Sequence, residues 1–372
     1  MILLLHNRYR TLGGEERVVE ELLRILPEQL GENVELLERD SAAMSSPGAA
    51  IGMLRGGLDA QQVFDAVRRT GARVVHAHNV NPAFGWRALA AAREAGARTV
   101  LHLHQYRLVC AAGTCLNPKG EDCTRCHGRR TFSGVRLRCR GSLPEAVVYG
   151  AALPMWSRRL VEHADALVTP SAFTIERLRA MDAPLRGRDV KVIANPVREA
   201  KRHADPANGT HAIVSARFSP DKGVDVAIEA CARAGLPLVV TGDGADETEL
   251  RAQAQRIGSD VTFVGRVPDD ELEELRATAA LAIVPSRFAE TFGLSAAESM
   301  ACGLPVVGSR VGALTDLLGP EDLVAPGDPK ALADVARRRY GDAAAGERNA
   351  RWIAQYASPA AVARSLAAVY DG

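Results

Sequence analysis

The sequence predicts an α/β protein of two doubly wound, Rossmann-like domains facing a cleft. Three observations predict it. Short apolar runs alternate with segments of helical periodicity, and the series occurs twice. A stretch with two prolines, an Asn-Gly pair and mixed charge, Asn195 to Thr210, separates the two series. The chain has 372 residues, more than one ordinary core accommodates.

The first series opens with the apolar run Ile2 to His6, a strand. Glu15 to Leu30 follows as a helix, because Val18, Val19, Leu22, Leu23 and Leu26 recur on one face. Val34 to Leu37 and Arg73 to His78 are further strands. Pro82 to Ala95 is a helix ending at Gly96, and Thr99 to His104 is the fourth strand. Runs this short between helices fit parallel strands covered on both faces. From Gln105 to Gly141 the rhythm stops. This segment is rich in Cys, Gly, Arg and Lys, has no period, and is expected to be an insertion. Helical pattern resumes after Ser142. Leu167-Val168, a helix from Ser171 and Val190 to Ala194 complete the half. The second series has strands at Ala212 to Ala216, Leu238 to Thr241, Val261 to Val264, Leu281 to Val284 and Pro305 to Gly308. Domains are expected at 1–197, with the insertion at 105–141, and at 198–347. Residues 348–372, helical in pattern, are expected to pack back on the first domain.

Composition narrows the class. The formal net charge is +1, which gives no global electrostatic basis for nucleic-acid binding, although Arg129-Arg130 and Arg136 to Arg140 are local basic stretches. Met1 to Leu5 is too short to span a membrane, no signal-peptide cleavage pattern follows it, and no later run approaches a span. A cytoplasmic protein without integral membrane contact is expected, with peripheral contact left open.

Chemistry concentrates at strand ends of the second half. Arg217 and Lys222, in Ser215-Ala216-Arg217-Phe218-Ser219-Pro220-Asp221-Lys222-Gly223, are cations at the carboxyl end of a strand, where open α/β sheets bind ligands. Such a pair suits a diphosphate, with Arg as a fork and Lys as a point charge; an exposed basic pair in a loop is the plain alternative. Thr241-Gly242-Asp243-Gly244 is a glycine turn, and Val264-Gly265-Arg266-Val267-Pro268 a loop able to present backbone groups to a base. The segment Pro285 to Glu298 runs from a strand through a loop into a helix near Gly293. A helix start favours phosphate. Glu290 lies before it. Glu298 lies about one and a half turns inside, flanked by Ala296, Ala297, Met300 and Ala301. A carboxylate so placed needs a partner, and ribose hydroxyls would provide one. The alternative is that both glutamates are surface charges.

Glu290 and Glu298 with Phe292-Gly293 between them resemble the paired-glutamate signature of family 4 retaining glycosyltransferases with the GT-B fold. Arg217 and Lys222 fall where that family places its diphosphate-binding cations. Gly13-Gly14-Glu15 resembles its amino-terminal glycine loop, His104 in His104-Gln105-Tyr106-Arg107-Leu108 its active-site histidine, and Asn195-Pro196-Val197 its interdomain segment. The resemblance covers nearly the whole chain. Gln105 departs from it, being longer than the usual polar residue after the histidine. His76, His78 and His102 occupy comparable strand-end settings.

The resemblance implies a hexosyltransferase-like enzyme acting on a nucleotide-sugar donor, UDP-linked, and a hydroxyl-bearing acceptor: a glycan, a lipid-linked glycan or a small molecule. His104, Arg217, Lys222 and Glu290 would be catalytic. Gly13, Gly14, Arg217, Lys222, Val267, Glu290, Thr291, Phe292, Gly293, Leu294 and Glu298 would bind the donor. No Asp-x-Asp triplet occurs, so the fixed cations and the helix start stand in for a divalent ion, and no cofactor is expected for catalysis. The implied chemistry is a front-face displacement that keeps the anomeric configuration. Two other readings remain: a nucleotide-sugar epimerase and a non-catalytic nucleotide-sugar-binding protein. A glycan phosphorylase is disfavoured, since no lysine context marks a pyridoxal phosphate site.

Five of the seven cysteines (Cys110, Cys115, Cys123, Cys126, Cys139) fall within the insertion. Cys123-Thr124-Arg125-Cys126 has the two-residue gap of half a zinc site, with Cys110 and Cys139 as the expected remaining ligands. Cys115 and His127 are further candidates. Reduced thiols packed in a loop, or a redox pair, are the alternatives. A subset of the family looks similar around Arg107-Leu108-Val109-Cys110. The insertion follows the fourth strand of the expected acceptor domain, so its arginines are candidates to meet an acidic acceptor.

Overall fold

The computed structural model describes residues 1–9 and 13–372. The chain divides into two compact units. The first comprises Met1–Lys119, Cys123–Pro196 and Pro359–Gly372; the second comprises Gly120–Asp122 and Val197–Ser358.

The first unit contains β1 (Ile2–Arg8), α1 (Gly14–Leu30), β2 (Val34–Asp40), α2 (Ser46–Arg55), α3 (Ala60–Thr70), β3 (Val74–Ala77), α4 (Gly85–Glu94), β4 (Arg98–His102), α5 (Phe132–Arg136), α6 (Leu143–Glu162), β5 (Ala166–Thr169), α7 (Ala172–Ala180) and β6 (Val190–Val192). The second contains β7 (Ala212–Ser215), α8 (Val224–Ala234), β8 (Leu238–Thr241), α9 (Glu247–Ile257), β9 (Val261–Gly265), α10 (Asp269–Ala277), β10 (Leu281–Val284), α11 (Leu294–Ala301), β11 (Val306–Ser309), α12 (Leu314–Leu317), β12 (Leu323–Val324), α13 (Pro329–Arg339) and α14 (Ala343–Tyr356). The last helix, α15 (Pro359–Asp371), returns to the first unit.

Each unit is built on a six-stranded sheet, ordered β2-β1-β3-β4-β5-β6 in the first and β12-β11-β10-β7-β8-β9 in the second. All the strand pairs are parallel. The reason lies in the strands themselves. Ile2, Leu3, Leu4 and Leu5 are all 0% exposed, so β1 is covered on both faces, as a central parallel strand must be. Burying four such side chains contributes on the order of 1.5–3 kcal/mol each. Both sheets have a topological switch point, between β1 and β3 in the first and between β7 and β10 in the second. The loops that leave those strands are where such sheets bind ligands.

Several boundaries differ from the sequence expectation, and three of them matter for the site and the division into units. His104 does not close the fourth strand: β4 ends at His102, and His104 stands in the loop two residues beyond. The helix expected from Pro82 starts at Gly85, because Val80 and Asn81 lead into a turn through Pro82. The segment from Arg348 is not one piece. It breaks at Ala357–Ser358, before Pro359; α14 stays with the second unit, against α11, and α15 packs on α1 in the first. Arg98 Nε donates to Val369 O at 2.9 Å and Arg73 pairs with Asp371 at 3.0 Å, which fixes the end of α15 to the first sheet. The insertion is as aperiodic as its sequence suggests, with α5 as its one named helix.

Candidate functional site

In the second unit the charged residues gather where β7 and β10 end. After β7 the chain makes a 3-10 turn at Pro220–Lys222. This brings Lys222 Nζ to 3.0 Å from Glu290 Oε1 and 4.5 Å from the centre of the Phe288 ring. Ser286 Oγ donates to the same carboxylate oxygen. Glu290 is therefore held from two sides. Arg217 is mostly exposed, at 62%; its Nη2 lies 3.6 Å from the buried Asp221, and its Nε donates to Ser219 Oγ at 3.3 Å. One cation is thus half-buried and paired, and the other reaches into solvent.

Gly293 opens α11 at φ 89°, a backbone that favours glycine, and it offers no side chain to cap the helix start. Thr291 and Leu294 flank it, and Phe292 is buried at 3% beneath the loop. Glu298, one turn further, is not waiting for a ribose as its only partner. Arg276 of α10, itself buried, donates to Glu298 Oε2 at 2.7 Å. Sequence reasoning missed Arg276. Its signal was a lone arginine in the last turn of an acidic helix, Asp-Asp-Glu-Leu-Glu-Glu-Leu-Arg, which reads as an exposed charge.

The glycine turn Gly242-Asp243-Gly244 closes the edge of this site. Gly242 has φ 135°, and a Cβ there would stand 1.9 Å from Ala216 O. Phe218 N donates to Asp243 O at 2.6 Å, and Gly242 N to Gly265 O at 2.8 Å. The three loops after β7, β8 and β9 are thereby tied together, with half-buried Val267 following β9. Arg287 clamps Asp225 at the start of α8 with two hydrogen bonds of 2.8 and 2.6 Å, which holds the β10 loop against the β7 loop.

In the first unit, a cavity at the ends of β1, β3 and β4 is lined by Tyr9, Glu15, His78, Asn81, His104 and Arg107, among others. Gly13 precedes α1 with ordinary extended backbone, so its own conformation does not demand glycine. Gly14 is the first helical residue. Glu16 accepts from Tyr9 N at 3.0 Å and from Gly13 N at 2.8 Å, bridging the two sides of the loop; Arg10 to Leu12 between them lie outside the described residues. Glu15 accepts from the Tyr9 hydroxyl at 2.8 Å, and its burial raises the carboxyl above its usual range.

His104 is part of a buried histidine stack. His78 Nδ1 and His104 Nε2 are 2.8 Å apart, and the His102 and His104 rings stack at 3.8 Å. His76 Nδ1 meets the Tyr370 hydroxyl of α15 at 2.8 Å. Burial first, then neighbouring His76 and His6, holds His104 well below the ordinary imidazole range, so it is neutral at neutral pH. His6, His76, His78 and His102 all keep buried ring nitrogens with no hydrogen-bond partner. Among the described residues, His76, His78 and His102 form the group whose ligating atoms lie within 4.8 Å of one another. The sequence singled out His104; that these histidines share one stack follows only from the β3–β4 register, which pairs Val74 with Arg98.

A second, smaller cavity lies within the insertion. Cys110, Cys123, Cys126 and Cys139 all line it, together with Leu116 and Met181. Burial, followed by the like charge of the other three thiols, pushes Cys139 up to about 11. Cys231 and Cys302 are buried in the second unit, as small apolar residues.

Two family models match successive parts of the chain: the glycosyl transferase 4-like domain over residues 13–196, and the glycosyl transferases group 1 model over residues 198–357. A D-inositol 3-phosphate glycosyltransferase of Acidothermus cellulolyticus is 38% identical over 160 residues, 38% of this chain and 36% of that protein. A GDP-mannose-dependent alpha-mannosyltransferase of Mycolicibacterium smegmatis is 30% identical over 212 residues, 51% of this chain and 54% of that protein. The matched regions thus span about a third to a half of those relatives. In fold, the chain is similar to Anabaena Alr3699/HepE, solved in complex with UDP, with a TM-score of 0.67 at 19% identity, covering 100% of this chain and 99% of that one. The boundary between the two family models falls where the structure divides its units. The chain belongs to the glycosyltransferases of GT-B fold in which a glycosyl transferase 4-like domain is followed by a group 1 domain.

Proposed function

We propose that this chain moves a sugar from a UDP-linked donor to a hydroxyl acceptor, with retention of anomeric configuration and without a divalent metal. The observation that carries this reading is the meeting of Lys222 and Glu290 across the β7 and β10 strand ends, beside Arg217 and the uncapped start of α11. A diphosphate placed there meets two cations and a helix start. Lys222 and Arg217 hold its oxygens. Glu298, oriented by Arg276, holds the ribose hydroxyls. The loop at Val267 faces the base, and Glu290 holds the transferred sugar, with Thr291 to Leu294 supplying backbone contacts. In the first unit, Gly13 and Gly14 are proposed as donor contacts and neutral His104 as a catalytic residue, roles that rest on the family resemblance.

The bond from the anomeric carbon to the diphosphate breaks while the acceptor oxygen bonds to the same face. The acceptor proton passes to the leaving phosphate oxygen. Negative charge grows on the diphosphate during this step, so fixed cations act more strongly on the transition state than on the ground state. Anabaena Alr3699/HepE, solved with UDP, supports the uracil base, and the mannosyltransferase relative names GDP-mannose as the competing donor. A thermal-shift series separates them, since a ligand at 100 times its dissociation constant adds about 2.7 kcal/mol of stability. The product is then followed by NMR in the presence of a chelator. An α-linked donor giving a β-linked product, or turnover lost at once on chelation, overturns the mechanism. Sugar isomerisation without any acceptor would identify an epimerase instead.

Among the described residues, no helix is long and apolar enough to cross a membrane. Phe132, Leu143, Val147 and Met155 are exposed on α5 and α6, near exposed Arg136 and Arg138. We propose peripheral contact with an anionic membrane there, suited to a lipid-linked acceptor. Co-flotation with anionic but not neutral vesicles is the expected result, and no flotation with either refutes it.

A further inference from the structure

We propose that Cys110, Cys123, Cys126 and Cys139 bind one structural zinc ion that gives the insertion its core. Residues 105–141 contain one short helix, and an aperiodic stretch of this length in a compact unit needs some other source of order. The four cysteines supply it by position. Cys110 lies at the loop's entrance, Cys123 and Cys126 in its middle, and Cys139 just before α6, yet all four line one cavity. A single ion there ties entrance, middle and exit together.

The immediate surroundings suit thiolate ligands. Cys110 Sγ accepts hydrogen bonds from the Cys115 thiol and from the backbone amides of Cys115, Gly113 and Ala112, contacts that fix the direction in which this sulfur faces the cavity. The turn behind it is closed by Gly113 N to Cys110 O at 3.0 Å and Tyr106 N to Gly113 O at 3.0 Å. Cys139 N donates to Gly134 O at 3.0 Å, which sets the fourth ligand against the end of α5. Cys123 N donates to Cys115 O at 2.7 Å, joining the two-residue-gap pair to the Cys110 turn. The structure also separates the other candidates. Cys115, which is hydrogen-bonded to Cys110 and lies 3.7 Å from the Met181 sulfur, does not line the cavity, and His127 lies beside Asp182, outside it.

No three of these sulfurs lie within 4.8 Å of one another among the described residues, so binding must draw them inward. Cys123 and Cys139 are the half-exposed pair with room to turn, while Cys110 and Cys126 are buried. Each cysteine gives up its proton as the metal–sulfur bond forms. The histidine trio is the rival destination for a metal. His76 and His102 are stacked with ring planes 8° apart. His76 Nδ1 is already engaged by the Tyr370 hydroxyl at 2.8 Å, and the trio lies outside the insertion that lacks a core of its own.

The zinc has a consequence for the first-unit cavity. Gln105, Arg107 and Leu108, which line that cavity with His104, are the residues that lead directly into the Cys110 turn. Ordering the insertion therefore orders one wall of the proposed acceptor pocket.

The full chain, purified without added metal, is analysed for zinc by mass spectrometry. About one equivalent per chain is expected. Cys126→Ser and Cys139→Ser should each lose most of it, whereas Cys231→Ser and His102→Phe should keep it. Cobalt exchanged into the wild-type chain should give intense thiolate-to-metal absorption; this readout does not depend on any variant folding. A zinc-free, folded wild-type chain that takes up neither metal overturns the proposal. So does metal that survives both cysteine substitutions but is lost on His102→Phe, or a disulfide between any two of the four cysteines.

Discussion

Lys222→Ala tests the donor site most directly. The lysine stands 3.0 Å from Glu290, and the two side chains are 22% and 12% exposed. At that distance two unit charges attract by about 5 kcal/mol in a medium of effective dielectric 20, before desolvation offsets most of it. With Ser286 still donating to Glu290, the net cost to folding should be about 1–2 kcal/mol. The catalytic cost should be larger. A removed charge-assisted donor on the leaving group is worth about 3 kcal/mol of barrier, or roughly a hundredfold in kcat. Steady-state kinetics at saturating donor gives kcat, and thermal denaturation gives the folding cost in the same variant. Lys222→Arg should recover part of the rate, because it restores the charge with different geometry. A Lys222→Ala enzyme with wild-type kcat and only a raised KM would refute the reasoning: the lysine would then bind donor and transition state equally.

Glu298→Ala should weaken binding of free UDP, while Glu290→Ala should leave it nearly intact and lower turnover; equal losses in calorimetry would contradict the assigned roles. Arg276→Ala should destabilise the chain by about 1–3 kcal/mol and also weaken UDP, since it leaves Glu298 without its anchor; unchanged denaturation and affinity would count against that link. Gly242→Ala should cost about 2 kcal/mol or more and impair donor binding, because the new methyl meets Ala216 O at 1.9 Å on a backbone of φ 135°; a stable, active variant would show that the loop yields freely. Acid should unfold the first unit early. Burial lowers His76 to about 3 and holds His78, His102 and His104 well below their ordinary range. The unfolded chain therefore binds protons below about pH 6.5 that the folded chain does not, and stability falls as pH falls. For His76 this amounts to about 2 kcal/mol by pH 5, and the other three act in the same direction, so Tm should drop between pH 7 and 5. A Tm independent of pH over that range would show that the stack takes up protons while folded.

Much of this molecule is written in local patterns. Leu238 to Thr241 and Leu281 to Val284 are strands at the ends the apolar runs mark, because a parallel strand covered on both faces must be apolar throughout. The spacing of Glu290, Gly293 and Glu298 about a helix start, and the crowding of cysteines in an aperiodic stretch, are legible for the same reason: each is a property of consecutive residues. Helices α2 and α3 were not anticipated. Strand order was not legible either, and it decides the site. Lys222 meets Glu290 only because β7 and β10 are neighbours in the sheet, and local periodicity carries no information about which strands pair. The same holds for Arg276, which becomes the partner of Glu298 once the last turn of α10 comes within reach of α11. It holds for the histidines of β3 and the β4 end, stacked by register, and for α15, which Pro359 separates from α14 and which joins the first unit through Arg73 and Arg98. Sequence by itself determined what kinds of element the chain contains and where its chemistry-bearing residues cluster. Tertiary structure decided which charges meet, because an ion pair between distant residues depends on the path of the whole chain and not on the residues that flank it.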